Sequence, residues 1–208
     1  MSFQNRDFYK RSTETVAKDL VGKKLVRTIR INEEKQYRLA GIIVETEAYG
    51  YGDDLASHAC SGPTERNRVM FGSVGRAYVY FTYGNHYCLN VSARSSNVEA
   101  GAVLIRGIEP IEGIELMIQF RPVDDILSLT SGPGKLTQAL NITSLFNGTD
   151  MTNSRSEIYI ESGRRPNHII TTSRIGITKA ADKKWRFVDP LSPFISRKLQ
   201  VSHPSRQG

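Results

Sequence analysis

The stretch Gly41-Ile-Ile-Val-Glu-Thr-Glu-Ala-Tyr49 decides how the rest of the chain is read. Read as a strand, it alternates its side chains between two faces. Ile42, Val44, Thr46 and Ala48 share one face, while Glu45, Glu47 and Tyr49 share the other. Two carboxylates and a phenol then line one surface. That surface is either a chemical site or the solvated side of a half-exposed strand. Upstream, Lys24 to Arg30 and Tyr37 to Thr46 read as two strands, with Asn32-Glu-Glu-Lys35 as the polar connection. This hairpin delivers Glu47. Further upstream, Ser12 to Val21 reads as a helix with an apolar stripe of Val16, Ala17, Leu20 and Val21, and Ser12 and Gly22 stand at its cap positions.

Downstream, Gly50 to Arg68 reads as a loop with a short helix starting near Asp53. Asp53, Asp54 and His58 are the residues there that could suggest a metal site. Acidic residues at a helix start are common caps, and no metal is expected. Thr64, Arg66 and Arg68 suit phosphate contacts, or else form solvated surface charge. The next informative stretch is Ala77-Tyr-Val-Tyr-Phe-Thr-Tyr-Gly-Asn-His-Tyr-Cys-Leu-Asn90. With period two, Tyr78, Tyr80 and Thr82 fall on one face and Val79, Phe81 and Tyr83 on the other, until Gly84 ends the strand. Tyr83 is placed to project at a turn. The alternative is an aromatic strand packed on both faces.

Beyond it, Glu109 to Ile118 reads as a core helix, with Pro110 in its first turn and Ile111, Ile114 and Ile118 as its apolar stripe. Arg121 to Leu129 reads as a loop. Ser131-Gly-Pro-Gly-Lys-Leu-Thr-Gln-Ala-Leu140 opens a second helix with Lys135 in its first turn, a natural phosphate seat. Glu157 to Glu161 and Trp185 to Val188 read as strands, Arg164-Arg165 falls in a turn with a proline, and the tail from Ser202 to Gly208 is expected to be disordered.

The chain has 208 residues, which suits one domain, residues 1–208, with a sizeable core. Hydrophobic residues at 39% and charged residues at 24% are ordinary for a globular protein. No run approaches the roughly eighteen apolar residues of a spanning helix, and the first residues carry no apolar signal core. A soluble, intracellular protein is expected. Cys60 and Cys88 have neither disulfide-framework nor zinc spacing, so reduced thiols are the expectation. A net charge of +7, with 28 basic against 21 acidic residues, points to an acidic partner such as nucleic acid.

Taken together, Val44-Glu-Thr-Glu-Ala-Tyr49, His58, Arg66-Asn-Arg68, Met70-Phe71, Tyr78-Val-Tyr80, Tyr83-Gly84, Asn90, Arg106 and Ser131-Gly-Pro-Gly-Lys-Leu136 resemble the alkyladenine (3-methyladenine) DNA glycosylase family in order and spacing. The resemblance implies a mixed α/β single domain built on a curved antiparallel sheet with helices at its edges and without a helix-hairpin-helix motif. It implies a monofunctional DNA glycosylase that flips a damaged purine from duplex DNA and hydrolyses its N-glycosidic bond with water. Glu47 would be the general base, Arg106 would hold it ionised, and the backbone at Ile175 and Gly176 would help hold the water. Glu45, on the same face, is the control, and its replacement should cost far less than that of Glu47.

By the same resemblance, Tyr49 and Tyr80 would sandwich the base, with His58 beside it and Asn90 excluding guanine. Tyr83 would wedge into the gap. Thr64, Arg66, Arg68, Met70, Asn85, His86, Lys135 and Gly176 would contact DNA, although Asn85 and His86 depart from the bulky apolar residue and tyrosine of some relatives. The implied partner is double-stranded DNA with damaged purines, with no cofactor, no membrane and no obligate protein partner. The protein would be a monomer working in the cytoplasm on the nucleoid, or in a nucleus. Two other classes remain open: a damaged-DNA binding module without catalysis, and a metal-dependent hydrolase, which chelator would distinguish.

Overall fold

The computed structural model describes residues 3–30, 35–82 and 86–199. Strands β1 (Lys24–Arg30) and β2 (Gln36–Tyr49) form the expected antiparallel hairpin. Its connection, residues 31–34, lies outside the described residues, as does the tail expected to be disordered. Strands β3 (Ala77–Thr82), β4 (His86–Ser92), β5 (Ala102–Glu112) and β6 (Ile158–Glu161) complete an antiparallel order β3-β4-β5-β2-β1-β6. β7 (Ile170–Thr172) pairs with β8 (Arg186–Val188), and β8 pairs with β2. The fold is thus the expected mixed α/β single domain on a curled antiparallel sheet.

β2 organises this sheet because it changes partner along one edge. β1 accompanies its first half, from Gln36 to Ile42, and β8 takes over from Glu45 to Glu47. β5 runs along the other edge, but the pairing slips three times, first between Ala40 and Gly41 and then twice around Glu45. Ile43 faces Ile108 and Glu45 faces Gly107, which leaves Val44 as the extra residue on β2. Thr46 then faces Ile105, which leaves Arg106 as the extra residue on β5. Bulges of this kind bend a strand and re-aim a side chain, and here they fall beside Glu45 and at Arg106.

Helix α1 is a single turn, Arg6–Tyr9, and α2 (Thr13–Leu20) covers the sheet. Ser12 caps α2 by accepting from the Thr15 N–H, and Val16, Ala17 and Leu20 are buried, as the stripe predicts. Gly22 follows it at φ +91°, where a Cβ would lie 2.3 Å from the Arg164 carbonyl oxygen, so both conformation and space demand glycine. Thr46 donates from Oγ1 to the Ala17 carbonyl at 2.7 Å and ties α2 to β2 beside Glu47.

Two expected elements fall elsewhere. The helix expected near Asp53 is a series of turns, and helix α3 begins only at Arg68 and ends at Phe71. Pro110 lies on a strand, because β5 continues to Glu112 opposite Ala40, and helix α4 runs over Ile114–Phe120 after Gly113 at φ 72°. Pairing along the long β2 overrides the local helix signal; Pro110 faces Gly41 at a register shift, where the ladder is already irregular. The expected stripe fails with it: Ile111 and Ile118 are exposed, whereas Met117 is buried. Helix α5 (Pro133–Ala139) begins with Pro at its first turn, as read.

Candidate active site

The end of β2 is buried on both faces, so its glutamates do not face water. Glu45 and Glu47 are each 0% exposed. An isolated carboxylate in such a place would be forced neutral, so its partners decide its state. Glu47 has three donors: the Ile175 N–H at 2.7 Å on Oε1, and the Tyr49 hydroxyl at 2.8 Å and Arg106 Nη1 at 3.1 Å on Oε2. Burial pushes the Glu47 carboxyl up, the Arg106 charge, the Ile175 amide and the Tyr49 hydroxyl pull it back, and the net direction is upward. Arg106 therefore acts in the expected direction but does not outweigh desolvation.

Glu45 is placed differently. It accepts from Arg106 Nε at 3.0 Å, Arg186 Nε at 2.7 Å and the Ser196 hydroxyl at 2.8 Å, as well as from the Ser196 N–H. Burial pushes this carboxyl up too, but Arg106, Arg186 and the Ser196 amide outweigh it and the net direction is downward. Glu45 is thus a buried carboxylate held between two guanidiniums, not a solvated one.

A cavity of about 300 Å³ opens beside this floor. Tyr49, His58, Tyr80, Asn90, Arg106, Ile175 and Gly176 all line it, so the structure brings these expected site residues together. The rings of Tyr78 and Tyr80 lie 5.2 Å apart on one face of β3, as alternation predicts. His58 packs edge-on against Tyr80 at 4.6 Å, and its Nδ1 shares a hydrogen bond with the Tyr78 hydroxyl at 2.9 Å. Burial and then the Arg66 charge hold His58 below the ordinary histidine value, so it stays neutral. Asn90 is fixed by donating from Nδ2 to the Tyr78 carbonyl at 3.0 Å. Met70 is buried beneath Tyr78 and reaches the cavity rather than the outer surface.

The turn-rich loop after β2 is held by two side chains. Asp54 accepts from the Gly50 N–H at 2.8 Å and forms a two-pronged pair with Arg174 at 2.7 and 2.6 Å, with both side chains fully buried. Arg174 in turn covers the ring of Tyr49 at 4.7 Å. Asp53 meets Lys183 instead, and among the described residues no group of three potential metal ligands converges. Asn67 is the second anchor, donating to the His58 and Gly62 carbonyls at 2.7 and 3.0 Å.

The rim carries the expected cations. Thr64, Arg66 and Arg68 are exposed. Arg66 lies 5.2 Å from the Tyr80 ring and donates to the Phe81 carbonyl, while Arg68 pairs with Glu65 at 3.1 Å. His86 opens β4 over the first turn of α5, where a Cβ on Gly134 would come within 2.8 Å of its own Cβ, and partly exposed Lys135 follows in the same turn. Gly176 takes φ 75°, which favours glycine there. Tyr83 and Asn85 lie outside the described residues.

Sequence reasoning missed Tyr78 and Cys88 as cavity walls, and Arg174, Arg186 and Ser196 as supports. Tyr78 was legible from its alternation with Tyr80. The other supports join segments more than a hundred residues from their partners on or after β2, which no local pattern records.

A family model described as methylpurine-DNA glycosylase matches residues 7–193. The chain belongs to that family. Its membership makes it an enzyme of the DNA-glycosylase class, with DNA as substrate. Relatives agree along most of the chain. A protein of Methanoculleus marisnigri, provisionally named a 3-methyladenine DNA glycosylase, is 47% identical over 194 residues, covering 92% of this chain and 97% of the relative. One of Methanocella arvoryzae with the same name is 46% identical over 93% of this chain and 95% of its own. A third, from Koribacter versatilis, is 44% identical over 93% and 92%. Among the described residues of this family member, no helix is long and apolar enough to cross a membrane.

Proposed function

We propose that this glycosylase flips alkylated or deaminated purines, among them 3-methyladenine, 7-methylguanine, hypoxanthine and ethenoadenine, out of duplex DNA into the cavity and hydrolyses the N-glycosidic bond with water. The observation that carries this reading is Glu47, buried behind the cavity lining with three donors among the described residues. A carboxylate offers about four acceptor positions, so one is left to orient a water and take its proton. Arg106 and the backbone at Ile175 and Gly176 flank that position. As the bond to the purine breaks, positive charge builds on the sugar, and the ionised Glu47 stabilises it.

Tyr49 and Tyr80 give the flipped base two ring faces, and a cationic alkylated purine gains about 0.5–2 kcal/mol from them over a neutral one. Asn90, held by Tyr78, disfavours the extra amino group of guanine, a cost that cationic 7-methylguanine offsets by stacking and unmodified guanine does not. Tyr83 fills the gap in the duplex, where loss of stacking costs about 1–3 kcal/mol. Thr64, Arg66, Arg68, His86 and Lys135 grip the backbone from the rim, with Asn85 beside the wedge. No cofactor is needed for a water attack on a good purine leaving group. The protein works as a monomer on chromosomal DNA, inside the cell.

A binding module that recognises damage without cutting it is the other reading, and the intact pair of Glu47 and Arg106 speaks against it. The test is direct measurement of free base released from duplexes carrying each lesion, in excess chelator. Release should persist, no borohydride-trapped adduct should form, and Glu47→Gln should bind DNA without releasing base. Excision of hypoxanthine by that variant near the wild-type rate would remove Glu47 from the role of base.

A further inference from the structure

β2 delivers two buried carboxylates, and the reaction above uses one. Glu45 touches Arg106 through Nε, while Glu47 touches it through Nη1. The remaining nitrogen, Nη2, lies 3.2 Å from the Ser196 hydroxyl, so every nitrogen of the guanidinium meets an oxygen. Ser196 belongs to the segment after β8, beyond residue 193 where the family match ends. That segment is firmly seated: Phe194 packs with Ile42 and Val44, and its carbonyl oxygen would stand 2.7 Å from a Cβ on Gly107. Glycine next to Arg106 is what lets the segment cross β5.

Two guanidiniums balance the two carboxylates. Arg186 meets Glu45 through Nε, and its Nη2 donates to the Arg197 carbonyl at 2.9 Å, so it too is held by the crossing segment. Glu45 thus has a counter-charge of its own, and Arg106 can be shared with Glu47.

We propose that Glu45, Arg186 and Ser196 are positioning residues for base release: they lock the Arg106 guanidinium so that Nη1 faces Glu47, and the segment 194–196 is part of the catalytic centre. The inference rests on the hydrolytic role of Glu47 and Arg106 given above.

The groups that face Glu47 are Arg106 on β5, Glu45 and Tyr49 on β2, Arg174 from the loop after β7, Arg186 opposite on β8 and Cys88 on β4. Among these, Arg106 is the strongest charge acting on Glu47 and lowers it, against a weaker upward push from Glu45. Release of Arg106 therefore has a signature that loss of fold lacks.

The test is single-turnover release of hypoxanthine with enzyme in excess, across pH, with DNA affinity and folded fraction measured in parallel. Glu45→Gln should lower the plateau rate about 10²-fold, the cost of a misplaced catalytic group, and move the acid limb to higher pH, because a released Arg106 no longer offsets the burial of Glu47, with DNA affinity unchanged. Ser196→Ala should lower the rate about tenfold, as loss of a hydrogen bond to a charged group does, and Ser196→Thr should restore it. A folded Glu45→Gln with an unmoved acid limb, or a rate that falls only with the folded fraction, overturns the proposal. If Glu45→Gln does not fold, the serine pair decides: an alanine loss that threonine fails to recover overturns it. Failure of the parent reading looks different, since there Glu47→Gln itself would stay active.

Discussion

At the floor of the site, behind the lining residues Tyr49, Arg106 and Ile175, Glu47 is fully buried and meets three donors among the described residues; on the rim, Arg68 has 70% of its side chain exposed and pairs with Glu65, itself 84% exposed. The floor takes its geometry from folding, before any DNA arrives. The rim does not. An exposed pair such as Arg68 and Glu65 is worth about 0–1 kcal/mol, so a phosphate in the proposed complex would displace the glutamate at little cost. Changes on the floor should therefore alter the rate or the fold, and changes on the rim should alter affinity and its response to salt.

The largest effect expected is on the floor. Glu47→Gln should slow base release by about 10²–10⁴-fold with DNA affinity retained, the usual worth of a general base. A matching loss of affinity would break the division between floor and rim. Next comes the support of the loop wall: Asp54→Ala leaves Arg174 charged and buried, and should destabilise the protein by about 3–5 kcal/mol in urea unfolding. An unchanged midpoint would mean that the pair is not a staple.

The pH response sharpens the same comparison. Burial raises Glu47, so release, which needs the ionised form, should fall on acidification at a higher pH than a free glutamate would give. The sign for stability is opposite. A carboxyl raised in the folded state adds stability below its unfolded value, and that contribution is lost as pH rises through the folded one. A rate profile whose acid limb falls at or below the ordinary glutamate value would contradict the upward shift.

Tyr83→Ser should reduce flipping of well-paired lesions by about 1–3 kcal/mol of lost stacking, read from ethenoadenine fluorescence in a Glu47→Gln background. Equal flipping with and without the tyrosine would leave the wedge role empty. The smallest effect belongs to the cations of the rim. Arg66→Ala or Lys135→Ala should each flatten the slope of log affinity against log salt by about 0.9, for damaged and undamaged DNA alike. A change in the rate constant of bound complexes would show that the rim reaches into the chemistry.

Legibility in the sequence followed the range of the interaction. α2 with its Ser12 cap, the β1–β2 hairpin and the start of α5 rest on neighbours a few residues apart, and all stand where local pattern places them. The pocket set from Tyr49 to Asn90 was read through family resemblance, since alternation alone leaves an aromatic strand packed on both faces equally open. Glu45 shows why the rest was hidden. Alternation assigns it a face but cannot say that β8 and the segment after it cover that face. Pro110 shows the converse, a sound local signal overruled by the length of its partner strand.

The separations in sequence around the floor also bear on how the protein folds. Arg106 lies 59 residues from Glu47, Ile175 lies 128 away, and Ser196 lies 151 from Glu45. Closing long loops costs more chain entropy than closing the short ones of the hairpins, and contacts distant in sequence form slowly. A chain refolding from denaturant should thus gain its strand signal from β1–β2 and β3–β4 first, and regain base release only after Ile175 and Ser196 have docked.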